Sequence, residues 1–390
     1  MEVIKISEVS LKNKVVLIRS DLNVPIENKK IVSDIRIIKS LKTIKFALKS
    51  GANVIIASHL GRPIEGKYES KYSLEPVARY LSDKLNRNVP LIKNYLNGIK
   101  HFYDNPILLE NVRFNIGEKE NDKRLSKIYS SLCDIYVIDS FGSAHRKHSS
   151  TFGIGKFSSI VCAGFLFYNE IKSLEKILEN PKRPMIAIIG GSKVSTKLSV
   201  LDSLTRIADK IIVGGGIANT FILSCGYNIG NSLYEKSMIE KSKNLLKSNK
   251  ILIPIDVKTE NHRKYNRITE RLINEVRNDE IILDFGGKTI QKIEKILKSA
   301  KTILWNGPVG MFERKEFKKG TEKIAKLISE SDAFSVAGGG DTISAVNLFG
   351  LHDKISYIST GGGAFMKFVS DRELPSMKIL REFFKKYKNN

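Results

Sequence analysis

Short apolar runs recur along the whole chain with helical stretches between them, and this alternation constrains the fold more than any other feature. The runs lie at residues 15–18, 54–57, 107–109, 135–138, 185–189, 211–213, 251–255, 302–305, 334–337 and 355–359. Runs that are apolar on both faces suit strands covered on both sides, which predicts parallel sheets wrapped by helices. They are too many for one comfortable sheet and fall into two sets. An α/β protein with two doubly wound domains is therefore expected. Its 390 residues allow two ample cores. Residues 164–180 have helical periodicity and are followed by Pro181 and Pro184 as a stop signal, so they read as the helix linking the domains.

Ligands of open α/β sheets bind beyond the carboxyl ends of the strands, so the residues after each run are the site candidates. In the first half these ends read Arg19-Ser20-Asp21-Leu22-Asn23-Val24-Pro25, Ser58-His59-Leu60-Gly61-Arg62-Pro63, Glu110-Asn111-Val112-Arg113 and Asp139-Ser140-Phe141-Gly142-Ser143-Ala144-His145-Arg146. Arg36 follows the first run. Arg36, Arg62, Arg113 and Arg146, with His59, are expected to converge on one edge. Guanidinium forks suit carboxylate and phosphate oxygens, which points to a small, strongly anionic ligand. Taken singly, each arginine reads as a surface ion-pair partner; their recurrence at strand ends favours the ligand. Asp21 and Asn23 either meet a ligand hydroxyl or shape the turn before Pro25. His145 and His148 have metal-like spacing but no apparent third ligand, and are read as structural or substrate-edge residues.

The second half places glycines at its strand ends. Residues 185–197, MIAIIGGSKVSTK, read as a strand, a Gly190-Gly191 turn and a helix opening at Ser192. On that reading Lys193 and Lys197 share one helix face near its positive end, where a polyphosphate relieves their repulsion. A solvated lysine face is the plain alternative, and G-x-x-x-x-G-K-[ST] does not occur here. Further glycine clusters stand at 214–216, around Asn306-Gly307, at 338–340 and at 361–363. Glycines in this number are destabilising unless the backbone turns sharply or approaches something closely. Gly339-Gly340-Asp341-Thr342 offers N–H groups to phosphate with Asp341 free for Mg2+, and Glu313 suits ribose hydroxyls. Together with the two lysines, these clusters favour nucleotide binding.

Composition narrows the partners. The formal net charge is +24, yet no long arginine-rich or aromatic-interleaved tract appears, so a solvated basic surface is expected and nucleic acid is not an expected partner. With 42% apolar and 27% charged residues the chain reads as globular and soluble. Cys133, Cys162 and Cys225 form neither a disulfide framework nor a CxxC pair, which suits a reducing cytoplasm. The N-terminal stretch carries acidic residues and no continuous apolar segment, so no signal peptide is read there. The most apolar tract, 160–168, is too short to span a bilayer, and no membrane partner is expected.

At this point the motifs resemble the phosphoglycerate kinase family. DLNVP at 21–25, SHLGRP at 58–63, LENVRF at 109–114 and FGSAHRKHSST at 141–151 are similar to its acid-domain motifs. GGSKVSTK at 190–197, WNGPVGMFE at 305–313, GGGDT at 338–342 and STGGGA at 359–364 are similar to its nucleotide-domain motifs. They occur in the family order across nearly the whole chain. The resemblance implies two Rossmann-like domains across a cleft: 1–163 with the C-terminal segment 372–390 for 3-phosphoglycerate, 164–180 as linking helix, and 181–371 for nucleotide. It also implies a cytoplasmic, glycolytic monomer that transfers phosphoryl between MgATP and 3-phosphoglycerate, yielding ADP and 1,3-bisphosphoglycerate, with hinge closure.

Carried over by residue, it implies that Asp21, Leu22, Asn23, Arg36, His59, Leu60, Gly61, Arg62, Arg113 and Arg146 bind 3-phosphoglycerate, with Arg36 at the reacting carboxyl. Lys193, Lys197, Asn306, Glu313, Gly339, Gly340, Asp341 and Thr342 are implied for the nucleotide, with Asp341 on magnesium and with Gly191, Ser192 and Gly216 near the adenine. Arg36, Lys193 and Lys197 form the implied catalytic set. The chain departs from the family at Thr196, where Asp is usual, at Phe365 and Lys367, where Ser and Glu are usual, and at Ser376, a common Gly. Two readings from other classes compete. One is a dinucleotide-dependent dehydrogenase, weakened by the lack of a G-x-G-x-x-G turn. The other is a catalytically weak homologue acting as a basic binding protein.

Overall fold

The computed structural model describes residues 2–99, 105–261 and 267–388. The chain divides into two compact units, Met1–Lys172 with Glu373–Asn390, and Ser173–Arg372. The first unit runs β1 Val15–Ser20, β2 Ile26–Glu27, β3 Lys30–Ile31, α1 Ile35–Lys49, β4 Asn53–Ala57, α2 Glu75–Leu85, β5 Leu91–Ile92, β6 Ile107–Leu109, α3 Lys123–Ser131, β7 Ile135–Asp139 and β8 Ile160–Ala163. The helical stretch read at 164–180 is α4, Phe165–Leu178, and the chain passes from one unit to the other within it.

The second unit continues with β9 Met185–Ile189, α5 Leu198–Ile207, β10 Lys210–Val213, α6 Gly215–Ser224, α7 Ile239–Leu246 and β11 Ile251–Leu252. It then forms β12 Asp256–Asn261, β13 Arg267–Leu272, β14 Ile281–Phe285, α8 Gly287–Ser299, β15 Thr302–Asn306, α9 Lys319–Ser329, β16 Phe334–Gly338, α10 Gly340–Leu348, β17 Tyr357–Ser359 and α11 Gly363–Asp371. The last helix, α12 Pro375–Lys388, belongs to the first unit.

Each unit is built on a six-stranded sheet, ordered β5-β6-β4-β1-β7-β8 in the first and β11-β10-β9-β15-β16-β17 in the second. Every neighbouring pair in both sheets is parallel. The apolar runs dictate this: β7 and β9 are buried along their whole length, as strands covered on both faces must be. Val16 and Ile18 of β1, Val54 and Ile56 of β4, and Ile37, Leu41 and Ile44 of α1 share one core. The spacing of those α1 residues puts them on one helix face, so the helix buries a stripe while Lys42, Lys45 and Lys49 stay outside.

The chain order reverses beside β1 in the first sheet and beside β9 in the second. The crevices therefore open between β1 and β7, and between β9 and β15. Three features differ from the sequence reading. β5 and β8 extend the first sheet, and only two residues of the run at 251–255 form a strand. The segments β12, β13 and β14 make a separate antiparallel sheet. The pattern in β12 and β13, DVKTEN and RITERL, is too polar for the apolar-run test to register.

Candidate functional site

At the carboxyl ends of β1, β4, β6 and β7 the first unit gathers its cations. Arg36, the second residue of α1, lies with Nη1 3.2 Å from Asp21 Oδ1 and donates to the Asn23 carbonyl at 3.2 Å. Asn23 Oδ1 in turn accepts from the Gly61 amide at 2.9 Å, tying the β1 loop to the β4 loop. Gly61 has φ +59 and the Tyr72 ring 2.5 Å from where a Cβ would stand, so no other residue fits the turn. Arg113 is buried, donates Nη1 to the Gly61 carbonyl, and leaves Nε buried without a partner. Arg62 is exposed and has no protein partner among the described residues. Arg146 is half-buried, its Nε donating to His145 Nε2 at 3.3 Å. Leu22 and Leu60 bury their side chains in the core, so only their main chain is left for a ligand.

The electrostatics of this end call for an anion. Burial, then the charges of Arg62 and Arg19, lower the Arg146 pKa, and Asp21 is the one carboxylate opposing that shift. His59 is held well below its ordinary range, first by burial and then by Arg19, Arg146, Arg36 and His148, so it is neutral. Cations held this close to one another suit phosphate or carboxylate oxygens. His148, pushed down to about 4 by burial and then by Arg146, lies 4.0 Å from Glu118 Oε1. No metal-holding cluster of His, Cys, Asp and Glu occurs among the described residues.

The second site lies at the β9/β15 crevice. Here the sequence reading needs one correction: the helix after β9 opens at Leu198, not Ser192, and Lys197 is its N-cap residue. Residues 190–197 form a turn-rich loop because Val194 is buried and Ser195 is tied to Glu235, its amide donating at 2.8 Å. Lys193 and Lys197 therefore do not share a helix face. Lys193 is exposed. Lys197 folds back across the crevice, with Nζ donating to the Gly190 carbonyl at 2.7 Å, to the Asn306 carbonyl at 3.1 Å, and to Asn306 Oδ1. Burial pulls its pKa down to about 8, with Asp341 acting in the opposite sense.

Close backbone packing shapes the rest of this site. A Cβ on Gly190 would stand 1.8 Å from the Pro308 carbonyl oxygen, and one on Gly216 would stand 2.4 Å from the Ser192 oxygen. The Gly191 carbonyl accepts from Ile217 N at 3.1 Å, joining the β9 and β10 loops. Asn306 Nδ2 donates to Gly338 O at 2.5 Å, and Gly307 N donates to Thr342 Oγ1 at 2.7 Å, joining the β15 loop to α10. Gly339, at φ +102, caps α10, so the first-turn amides of Gly340, Asp341 and Thr342 have no partner within the helix. Asp341 is exposed in that turn, and Glu313 is exposed in the turn beyond Phe312.

The departures settle into ordinary roles. Thr196 Oγ1 donates to the Lys193 carbonyl at 2.8 Å, Phe365 is buried against Gly338, and Lys367 pairs with Asp371 at 2.6 Å. Ser376 N donates to the Ala144 carbonyl at 3.2 Å. One residue at the first site escaped the sequence reading: Arg19, wholly buried at the end of β1 and bonded to His59. An arginine inside an apolar strand was the available signal, since such a charge is buried only when it is partnered.

A sequence profile described as phosphoglycerate kinase matches residues 6–372. The structure of phosphoglycerate kinase from Coxiella burnetii is similar to this chain at TM-score 0.93 and 44% identity, over 97% of this chain and 99% of that one. The phosphoglycerate kinase from Pyrococcus horikoshii OT3 is similar at TM-score 0.84 and 31% identity, over 98% of this chain and 100% of the other.

Proposed function

The chain belongs to the phosphoglycerate kinase family, and from that premise we propose how its own residues perform the family's reaction. The reaction is glycolytic phosphoryl transfer between ATP and the carboxylate of 3-phosphoglycerate. A basic binding protein with an idle site is not favoured, because none of the residues assigned to chemistry has been replaced. The observation that carries the assignment is the cationic cluster at the β1/β7 crevice, where Asp21 is the carboxylate that meets Arg36 and opposes the shift of Arg146. There Asp21, Asn23, Arg36, His59, Arg62, Arg113 and Arg146, with the main chain of Leu22, Leu60 and Gly61, take 3-phosphoglycerate. Lys193, Lys197, Asn306, Glu313 and residues 339–342 take the nucleotide, with Gly191, Ser192 and Gly216 beside its base.

Magnesium arrives as part of the nucleotide substrate. Asp341, an exposed carboxylate, would hold it, and it would supply charge neutralisation on the phosphates. The acceptor carboxylate is already ionised at neutral pH, so its attack on the γ-phosphate needs no general base. Catalysis then consists of positioning and charge neutralisation. Arg36, braced by Asp21 and the Asn23 carbonyl, orients the carboxylate. Lys197 and the first-turn amides of α10 receive charge on the transferring group, and Lys193, exposed, follows the phosphates. The two ligands bind on separate units, so transfer requires a closing motion that also excludes water from the acyl phosphate. Small-angle scattering should register compaction with both substrates bound. A reducing compartment fits the three free thiols, Cys133, Cys162 and Cys225.

The test is a hydroxylamine trap with ATP, Mg2+ and 3-phosphoglycerate. Acyl hydroxamate and ADP that require all three components are expected. ADP without hydroxamate, or neither product from folded protein, overturns the assignment.

A further inference from the structure

Arg19 makes more directed contacts than its place inside a strand requires. Its Nε donates to Ser150 Oγ at 3.0 Å, its Nη1 to the Ser20 carbonyl at 2.7 Å, and its Nη2 lies 3.1 Å from His59 Nδ1. Ser150 passes the interaction on, with Oγ donating to Glu118 Oε1 at 2.6 Å and the amide donating to Oε2 at 3.0 Å. Arg19, His59, Ser150 and Glu118 are all buried, so each of these groups needs its partner. The result is a chain from a carboxylate through a hydroxyl and a guanidinium to an imidazole.

The chemistry of the last contact is one-sided. A guanidinium has five donors and no acceptor, so the ring nitrogen facing it must carry a lone pair. A neutral imidazole with its lone pair on Nδ1 has its proton on Nε2. We propose that Arg19 is a positioning residue that locks His59 as the neutral Nε2–H tautomer, making it a fixed hydrogen-bond donor to the acceptor substrate, neither a cation nor a base. The functional half rests on the assignment of His59 to 3-phosphoglycerate; the tautomer itself does not. The charged and titratable groups facing His59 are Arg19 from β1, Arg36 from α1, and Arg146 and His148 from the segment after β7; all four disfavour a second ring proton. Glu118 supplies the opposite charge behind Arg19, and burial raises its own pKa to about 7.

The experiment is nitrogen NMR on protein labelled with 15N-histidine, with His59→Gln used only to assign the signal. In the wild-type protein Nδ1 should resonate as an unprotonated nitrogen and Nε2 as a protonated one, unchanged from about pH 5 to 8. In Arg19→Met the ring should populate both tautomers and its titration midpoint should rise toward about 6.5. KM for 3-phosphoglycerate should increase about tenfold while KM for ATP holds, since only the donor to the acceptor is loosened. A wild-type His59 protonated on Nδ1, or doubly protonated at neutral pH, overturns the proposal even if Arg19→Met does not fold. So does an Arg19→Met protein with the correct wild-type tautomer behind it but an unchanged KM for 3-phosphoglycerate. If the wild-type chain forms no acyl hydroxamate while His59 is the Nε2–H tautomer, the failure lies in the substrate assignment, and the lock stands as structural.

Discussion

The two crevices gather groups suited to an anion by different means. At the end of β1 the charge sits on side chains, and the fold spends hydrogen bonds to hold them: Asp21 and Asn23 on Arg36, the Gly61 carbonyl on Arg113, Ser150 and Ser20 on Arg19. At the end of β9 the shaping is done by backbone, with Gly190, Gly216, Gly307 and Gly339 packed too closely for side chains, Gly191 at φ +134, and Lys197 stretched across the strand ends. A small, rigid acid is suited to fixed forks, while a polyphosphate is suited to amides and a few mobile ammonium groups. The difference should be visible in mutants. Replacing a side chain at the first crevice should change function while sparing the fold. Adding one at the second should damage both.

The largest expected effect is at the first crevice. Arg36→Ala should lower kcat roughly a hundred- to a thousandfold, the scale of losing one donor to transition-state charge, with nucleotide affinity nearly unchanged. Steady-state kinetics beside nucleotide titration checks it, and an unaltered kcat would remove Arg36 from the chemistry. Next comes Gly190→Ala, whose methyl group meets the Pro308 carbonyl at 1.8 Å. Backbone cannot yield as a side chain can, so a stability loss of about 3 kcal/mol is expected, with nucleotide binding lost and 3-phosphoglycerate binding kept. Thermal melts and calorimetry of each ligand read this directly.

A smaller effect follows from Lys197. Burial holds its pKa down to about 8, so the unliganded lysine loses its proton above that pH. A bound phosphate favours the charged form and must draw the proton back. Nucleotide affinity should therefore be level below pH 8 and weaken toward about tenfold per unit above it. Lys197→Met should bind more weakly at pH 7 and lack that slope. The smallest effect should come from Thr196→Asp. The residue is exposed and its hydroxyl only closes a turn onto Lys193, so restoring the carboxylate usual in the family should alter nucleotide KM within about threefold. A larger change would mean that charge in this loop matters more than its backbone shape.

Periodicity and punctuation made much of the molecule legible. Strand-length apolar runs with helices between them determine parallel, doubly covered sheets, because only strands buried on both faces need such runs. Residues directly after those runs mark the candidate ligand edges, and the motifs were recognisable because they stand at those ends in family order. What the runs did not reveal was polar or short. The β12–β14 sheet has mixed sequence, and β5 and β8 borrow their order from neighbours. The loop at 190–197 carried a helix-like spacing of lysines, yet the chain there turns, because burying Val194 and bonding Ser195 to Glu235 outweigh a local preference for helix.

By itself, then, the sequence determined the fold class, the candidate strand ends and the chemical types standing at each. Tertiary structure alone decided which groups meet. Arg19 and His59 lie forty positions apart, and Lys197 and Asn306 more than a hundred, so no local pattern encodes their contacts. Their pairing follows from β1 lying beside β4 and β9 beside β15. It is these pairings, set by the burial of whole strands, that select the imidazole's tautomer and lower the lysine's pKa.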